Sequence, residues 1–173
     1  KYNEAFLTVS NIEEIDLREN DVIIALETNI SNVYGNDLGN DITLLEYSNN
    51  VNVVGGAGDD IIDASIAGRG TLNGNDGNDT FITSNNGTQY QYFTIYTGDG
   101  DNEIVGGNIA HLVYSQGSDL INLGSENDVV IIGNNNLNNS IINTGAGNDT
   151  IFINKDDVFI SGGDGDDQYY IQT

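Results

Sequence analysis

Through most of this chain an aspartate stands at the end of a glycine-rich turn, just ahead of a short apolar run. Gly55 to Asp63 reads GGAGDDIID: two adjacent glycines, a third two positions on, an acidic residue in sixth place and an isoleucine in eighth. Glycine takes positive φ without steric penalty, so such a turn can curl its carbonyls toward one point. Asp60 would bring a carboxylate to that point while Ile62 faces the opposite way, into a core. Oxygen-only ligands on a tight loop suit a hard cation, and Ca²⁺ takes six to eight oxygens at about 2.3–2.6 Å. A single match in a chain with 22 glycines would say little. The pattern recurs.

Related units are GNDLGNDIT from Gly35 to Thr43, GNDGNDTFI from Gly74 to Ile82, TGDGDNEIV from Thr97 to Val105 and YSQGSDLIN from Tyr114 to Asn122. LGSENDVVI from Leu123 to Ile131, TGAGNDTIF from Thr144 to Phe152 and GGDGDDQYY from Gly162 to Tyr170 complete the set. Their acidic turn positions line up as Asp41, Asp60, Asp79, Asn102, Asp119, Asp128, Asp149 and Asp167. In the first unit Thr43 then falls where an apolar residue belongs, which leaves that register open. The short step from Asp119 to Asp128 is the underlying unit, and most other steps are close to twice as long. Plainer half-units fill the gaps: Asn49 to Val54, Gly68 to Leu72, Gly106 to Val113, Gly133 to Ile142 and Lys155 to Ile160.

Alternating turns and strands predict an all-β fold, a parallel β-roll or β-helix solenoid with two short strands per coil. Coils of roughly 18 residues would stack about 4.8 Å apart. Ile62, Phe81, Ile104, Ile121, Val130, Ile151 and Tyr169 should then point inward as ladders. Because every turn switches sides, Asp41, Asp60, Asp79, Asn102 and Asp119 should share one edge of the roll. The short step moves Asp128, Asp149 and Asp167 to the other.

Residues 1–34 stand apart, with no glycine from Lys1 to Thr28. Ile12 to Leu17 and Val22 to Leu26 suit two strands around the polar run Arg18 to Asp21, and a helix over Ile12 to Leu26 is the competing reading. As strands they form a first coil that caps the roll spanning 35–173, shielding apolar rungs and free edges.

Composition narrows the function. Only four Lys and Arg face 27 Asp and Glu, a formal charge of −23, which opposes compaction unless cations neutralise it. No basic surface exists for nucleic acid, and anionic membranes and polyanionic glycans are disfavoured by the same argument. The absence of Cys excludes disulfides and thiolate sites, and the absence of Pro suits paired strands. There is no long apolar run, and the chain is expected to be a piece of a larger protein. An isolated turn Asp merely caps its own loop. Stacked carboxylates about 5 Å apart repel strongly without a cation between them, which favours metal. An EF-hand does not fit Asp99, Asp101 and Glu103, since no Glu closes the loop.

His111, the only histidine, lacks a motif partner and reads as structural. No carboxylate pair is diagnostic of acid/base chemistry, so the chain is expected to be non-catalytic. Thr88 to Tyr96 lengthens one coil and places Tyr90, Tyr92 and Tyr96 on one face, with Phe93 and Ile95 on the other. The tyrosines either cover another part of the molecule or stack on a sugar or protein partner. Ice binding needs a regular Thr/Asn array, whereas outward positions include Ile61, Leu120, Val129 and Phe152.

These units resemble the repeats-in-toxin (RTX) family, whose nonapeptide is GGxGxDxUx with U a large apolar residue. Gly55 to Asp63 and Gly162 to Tyr170 match it outright, and the other units depart at one to three positions over Gly35 to Thr173. The resemblance implies a β-roll exported unfolded by a type I system and folded outside the cell by Ca²⁺. Each ion would lie between turns of successive coils, held by sixth-position carboxylates and backbone carbonyls. On this chain that implicates Asp41, Asp60, Asp79, Asp119, Asp128, Asp149 and Asp167, with Asn102 as a weaker neutral ligand. The turn positions Gly55, Ala57, Gly74, Asp76, Asp99, Gly145, Gly162 and Asp164 complete the implied set. Glu126 replaces a turn glycine and departs from the pattern. The implied parent is a secreted or bacterial cell-surface protein such as an adhesin, a toxin or an S-layer protein.

Overall fold

The computed structural model describes residues 14–16, 23–26, 31–44, 49–83, 91–133, 139–154 and 157–172. The described residues form two parallel sheets. The larger contains, in spatial order, β1 (Glu14–Asp16), β3 (Asn32–Tyr34), β5 (Asn49–Ala57), β7 (Arg69–Asp76), β9 (Tyr92–Tyr96), β11 (Ala110–Ser115), β13 (Val129–Ile132), β15 (Thr150–Ile153) and β17 (Gln168–Ile171). Facing it are β2 (Ile23–Leu26), β4 (Asp41–Leu44), β6 (Ile61–Ala64), β8 (Thr80–Thr83), β10 (Glu103–Val105), β12 (Leu120–Asn122), β14 (Ile141–Asn143) and β16 (Phe159–Ser161). Odd strands stack only on odd and even only on even, so the chain winds as a parallel β-solenoid with two strands per coil.

Helices are absent among the described residues because the apolar period is two, not three to four. The strands β8, β13 and β15 all alternate half-buried with buried positions along their length. Every plain half-unit also supplies a strand, including those that form β5, β7, β11, β14 and β16. In the N-terminal segment β1 and β2 are strands on opposite sheets, which excludes a continuous helix over Ile12 to Leu26.

The core is a set of vertical columns. Ile42, Ile62, Phe81, Ile104, Ile121 and Ile142 follow one another in register along the even sheet, all buried. Val33, Val53, Leu72, Ile95, Val113, Val130 and Ile151 form the matching column on the odd sheet. Tyr169 continues that column but is 46 % exposed, a departure from its expected burial. The reason is positional: β17 pairs only with β15, so no strand covers its far side.

Phe93 and Ile95 face inward and Tyr92 and Tyr96 outward, as the alternation predicts, and Tyr96 stacks on Tyr114 with centroids 4.7 Å apart. Tyr90 lies outside the described residues. Ile61 and Leu120 also sit on the outer surface, and Phe152 stacks on Tyr170 at 4.9 Å.

Because Phe81 fills the centre of a close-packed column, Phe81→Ala should cost about 3–5 kcal/mol of folding free energy. Leu120→Ala, on the outer face of the neighbouring coil pair, should change it by less than about 1 kcal/mol. Denaturant unfolding of the two variants tests this, and comparable losses would contradict the assignment of faces.

Candidate metal centre

Between β3 and β4, β5 and β6, β7 and β8, β9 and β10, and β11 and β12, the chain leaves the odd sheet, turns through a bend containing glycine and enters the even sheet. The sixth residue of that bend is buried just before the strand begins, and its N–H points at the next coil. Asn40 N donates to Asp60 Oδ1 at 2.7 Å, Asp60 N to Asp79 Oδ1 at 2.9 Å and Asp79 N to Asn102 Oδ1 at 2.8 Å. Asn102 N continues to Asp119 Oδ1 at 3.2 Å, and Asp119 N ends the series on Ser140 Oγ at 3.1 Å. A backbone donor orphaned at the end of one bend is thus capped by the side chain one coil on.

The first unit departs from expectation. Asn40, not Asp41, holds the sixth position, and Ile42 is the buried eighth residue. Asp41 lies one residue further on, paired with Ile61 across β4 and β6 on the outer side of the sheet. Its carboxyl is pushed up by burial and by the charge of Asp63. A slip of one residue turns a strand side chain to the opposite face, so Asp41 is removed from the ladder.

A second ladder runs along the opposite edge, where bends lead from the even to the odd sheet. His111 N donates to Asp128 Oδ1 at 2.7 Å, Asp128 N to Asp149 Oδ1 at 2.8 Å and Asp149 N to Asp167 Oδ1 at 3.1 Å. The two edges and the crossing between Asp119 and Asp128 follow the counted parity of the turns. His111 and Ser140 were missed as members. Both stand two residues ahead of a buried strand residue, Val113 and Ile142, in half-units that carry no acidic residue, and alignment to those residues could have found them.

The carboxylates are only half satisfied. Asp60 Oδ2, Asp79 Oδ2, Asp128 Oδ2 and Asp149 Oδ2 are buried without a hydrogen-bond partner, in residues 1 % exposed. Leaving such an atom unpaired in the interior is costly, more so when it is charged. At Asp60, Asp79 and Asp167 the glycine that opens the bend lies against Oδ2. A Cβ built on Gly55 would collide with Asp60 Oδ2, on Gly74 with Asp79 Oδ2 and on Gly162 with Asp167 Oδ2. Gly58, at φ 113°, adopts a conformation that an L side chain resists, and carries the bend between the two.

Free carboxylate oxygens beside turn carbonyls are hard donors of the kind that a calcium ion takes. Among the described residues no three His, Cys, Asp or Glu side chains form a group that could hold a metal ion, so a bound ion would have to draw most of its oxygens from the backbone. Of the implied turn positions, Gly55, Gly74 and Gly162 are buried at the first place of their bends, while Ala57, Asp76, Asp99 and Asp164 stand third. Asp76 O and Asp164 O accept from Gly58 N and Gly147 N, and Gly145 O accepts from Asp164 N. The side chains of Asp76, Asp99 and Asp164 are exposed, so only their main chains belong to the bend. An outer ladder escaped the sequence reading: Asn78 N donates to Asp59 Oδ1, Asp101 N to Asn78 Oδ1 and Asp166 N to Asn148 Oδ1. These fifth-position side chains brace the same bends from the solvent side.

His111 is 3 % exposed, its Nδ1 2.9 Å from Asp128 Oδ1 and its Nε2 2.8 Å from Thr83 Oγ1. Thr83 is also buried and accepts from Gly107 N. A hydroxyl, an imidazole and a carboxylate in line have the spacing of a proton relay. All three are enclosed in the core, where they tie β8 to the second ladder, the structural part expected of this histidine.

Burial raises the Asp60 carboxyl from 3.8 to about 6, opposed by the hydrogen bond from Asn40 N and aided by Asp59. Asp79 rises to about 7, again through burial first, with a hydrogen bond from Asp60 N opposing and the charges of Asp60, Asp59 and Asp119 adding to it. Burial also pushes Asp128 up, against the lowering effect of His111.

Groups whose pKa is raised by folding stabilise the ordered chain when protonated. Without divalent cation, that contribution is complete below about pH 4 and is lost as pH rises through about 6 to 7. Far-UV circular dichroism in chelator should therefore show more strand at pH 5 than at pH 7.5, and the reverse order would refute the burial of these carboxyls. Gly74→Ala, which drives a methyl into Asp79 Oδ2 and Thr97 O, should reduce the ordered fraction at both pH values. No family model, no curated protein and no solved structure matches this chain.

Proposed function

We propose that this chain is a non-catalytic calcium-binding β-roll whose ordering is driven by Ca²⁺, working as a module of a larger secreted or cell-surface protein. The observation that carries the reading is the set of buried, unpartnered Oδ2 atoms on Asp60, Asp79, Asp128 and Asp149. A column of desolvated carboxylates in a chain of net charge −23 needs positive charge, and few Lys or Arg are present to supply it. Each carboxylate would offer its free oxygen while Oδ1 keeps the backbone bond to the neighbouring coil. Bound Ca²⁺ would supply the compensating charge and draw turn carbonyls together. The resemblance to RTX repeats supports the same reading.

Metal uptake and folding would then be one event, because no ligand set exists until bends from different coils stack. Extracellular calcium modules work at about 10⁻⁴–10⁻³ M, far above cytosolic concentrations, so the chain would remain unfolded and threadable before export. Calcium would also take the place of the disulfides common in small secreted domains.

Circular dichroism with Ca²⁺, Mg²⁺ or chelator at pH 7.5 tests this directly. Strand signal should require Ca²⁺, with Mg²⁺ ineffective because it demands a stricter octahedral shell and dehydrates reluctantly. Asp79→Asn, which leaves the shape but removes a charge, should raise the calcium midpoint at least several-fold. Full strand signal in chelator would remove the mechanism.

A second reading concerns the outer face of the odd sheet. An extra residue at Asn50, with φ 63°, disturbs the register between β5 and β7 and borders a concavity of about 250 Å³. Asn52, Thr71 and Thr94 line it, and Tyr92, half exposed, stands at its rim. Neutral amides and hydroxyls beside an exposed ring suit an uncharged sugar. On a glycan array Tyr92→Ala should abolish any such binding, and an array blank for the parent chain disposes of this reading.

A further inference from the structure

The two ladders are not uniform along their length. Asp119 has no spare oxygen. Its Oδ1 accepts from Asn102 N at 3.2 Å and Asn102 Nδ2 at 3.0 Å, while Oδ2 accepts from Thr97 Oγ1 at 2.9 Å and Ser115 Oγ at 2.6 Å. Ser115 stands where Gly55 and Gly74 stand in the bends of Asp60 and Asp79, so a hydroxyl occupies the space beside Oδ2 that glycine leaves open. Beyond it Ser140 Oγ caps Asp119 N and donates to Gly117 O. On the opposite edge, the second ladder begins with His111, whose ring and backbone N–H both meet Asp128 Oδ1.

We infer that these coils form a cation-free belt, from Thr97 to Ser140 on one edge and at His111 on the other, which divides the roll into two separate calcium-loading blocks. This rests on the calcium reading above and goes beyond it by excluding Asp119, a residue that the repeat pattern alone would count as a ligand. In the first block Asp60 and Asp79 take cations, and in the second Asp128 and Asp149 do so. Across the belt, hydroxyl, amide and imidazole groups supply the donors that an ion would otherwise replace. The belt sits where the acidic pattern crosses from one edge to the other. There, the carboxylate run of each edge ends on a neutral or imidazole side chain, so no ion has carboxylates on both its coils.

The test counts ions on the whole chain at saturating Ca²⁺ by native mass spectrometry, with circular dichroism to verify that each variant is ordered. Asp79→Asn and Asp149→Asn should each lower the number bound. Asp119→Asn should leave it at the parent value, since the hydroxyls of Thr97 and Ser115 can turn to accept from the new amide. Should that variant fail to order, Ser115→Ala removes one donor without touching the carboxylate. Its count should equal the parent's or exceed it by one ion admitted at the freed Oδ2. A count lowered by Asp119→Asn or Ser115→Ala, as by Asp79→Asn, would overturn the belt while leaving calcium binding intact. No bound calcium on the parent chain would instead defeat the reading on which the belt rests.

Discussion

A single hydrogen bond, repeated along both edges, sets the terms for the rest of this molecule. Where each bend enters a strand, one backbone N–H is buried beyond the reach of the bend itself, and a side chain from the next coil must accept it. A carboxylate serves well because a charged acceptor makes a stronger bond than a neutral one. Satisfying the backbone in this way stacks carboxylates in a column, removes them from water and leaves the second oxygen of most of them without a donor. The need for positive charge is therefore built into the backbone hydrogen bonding of the coil.

The bends are shaped by the same demand. Oδ1 reaches across to the neighbouring coil while Oδ2 of Asp60 and Asp79 lies over the first residue of its own bend, where glycine leaves room without supplying a donor. Where that residue is Ser115, the spare oxygen is taken. Thr144 stands in the same place ahead of Asp149 but turns its hydroxyl to Gly162 O, so Asp149 Oδ2 stays unpaired. Whether Oδ2 is paired at such a position thus depends on which way one hydroxyl points.

The apolar columns and the polar ladders carry complementary parts of the stability. The columns bury Ile, Val, Leu and Phe whatever the ionic conditions, but each coil contributes only a few such residues. Buried like charges at Asp60 and Asp79 oppose this gain, as their raised pKa values indicate. The balance between hydrophobic gain and electrostatic cost therefore sets how stable a roll of this composition is.

The solenoid, its two strands per coil, the inward columns and the two acidic edges were legible in the sequence, because all depend on a local period that repeats. Ile62, Phe81 and Ile104 declare themselves by their distance from the preceding glycines. The exceptions were not legible. Asn40 in place of Asp41 is a slip of one residue that pairing with the neighbouring strand resolves. His111 and Ser140 belong to the ladders through hydrogen bonds to Asp128 and Asp119, 17 and 21 residues away, and only their distance from the buried Val113 and Ile142 marks them locally. The saturation of Asp119 needs Thr97, Asn102 and Ser115 at once, from two coils. Short-range pattern determined the architecture of this chain because each strand and bend is a local object. Which oxygens remain unpaired was decided by the tertiary structure, because, apart from the local bond from Ser115 to Asp119, the ladder bonds join residues of different coils that only stacking brings together.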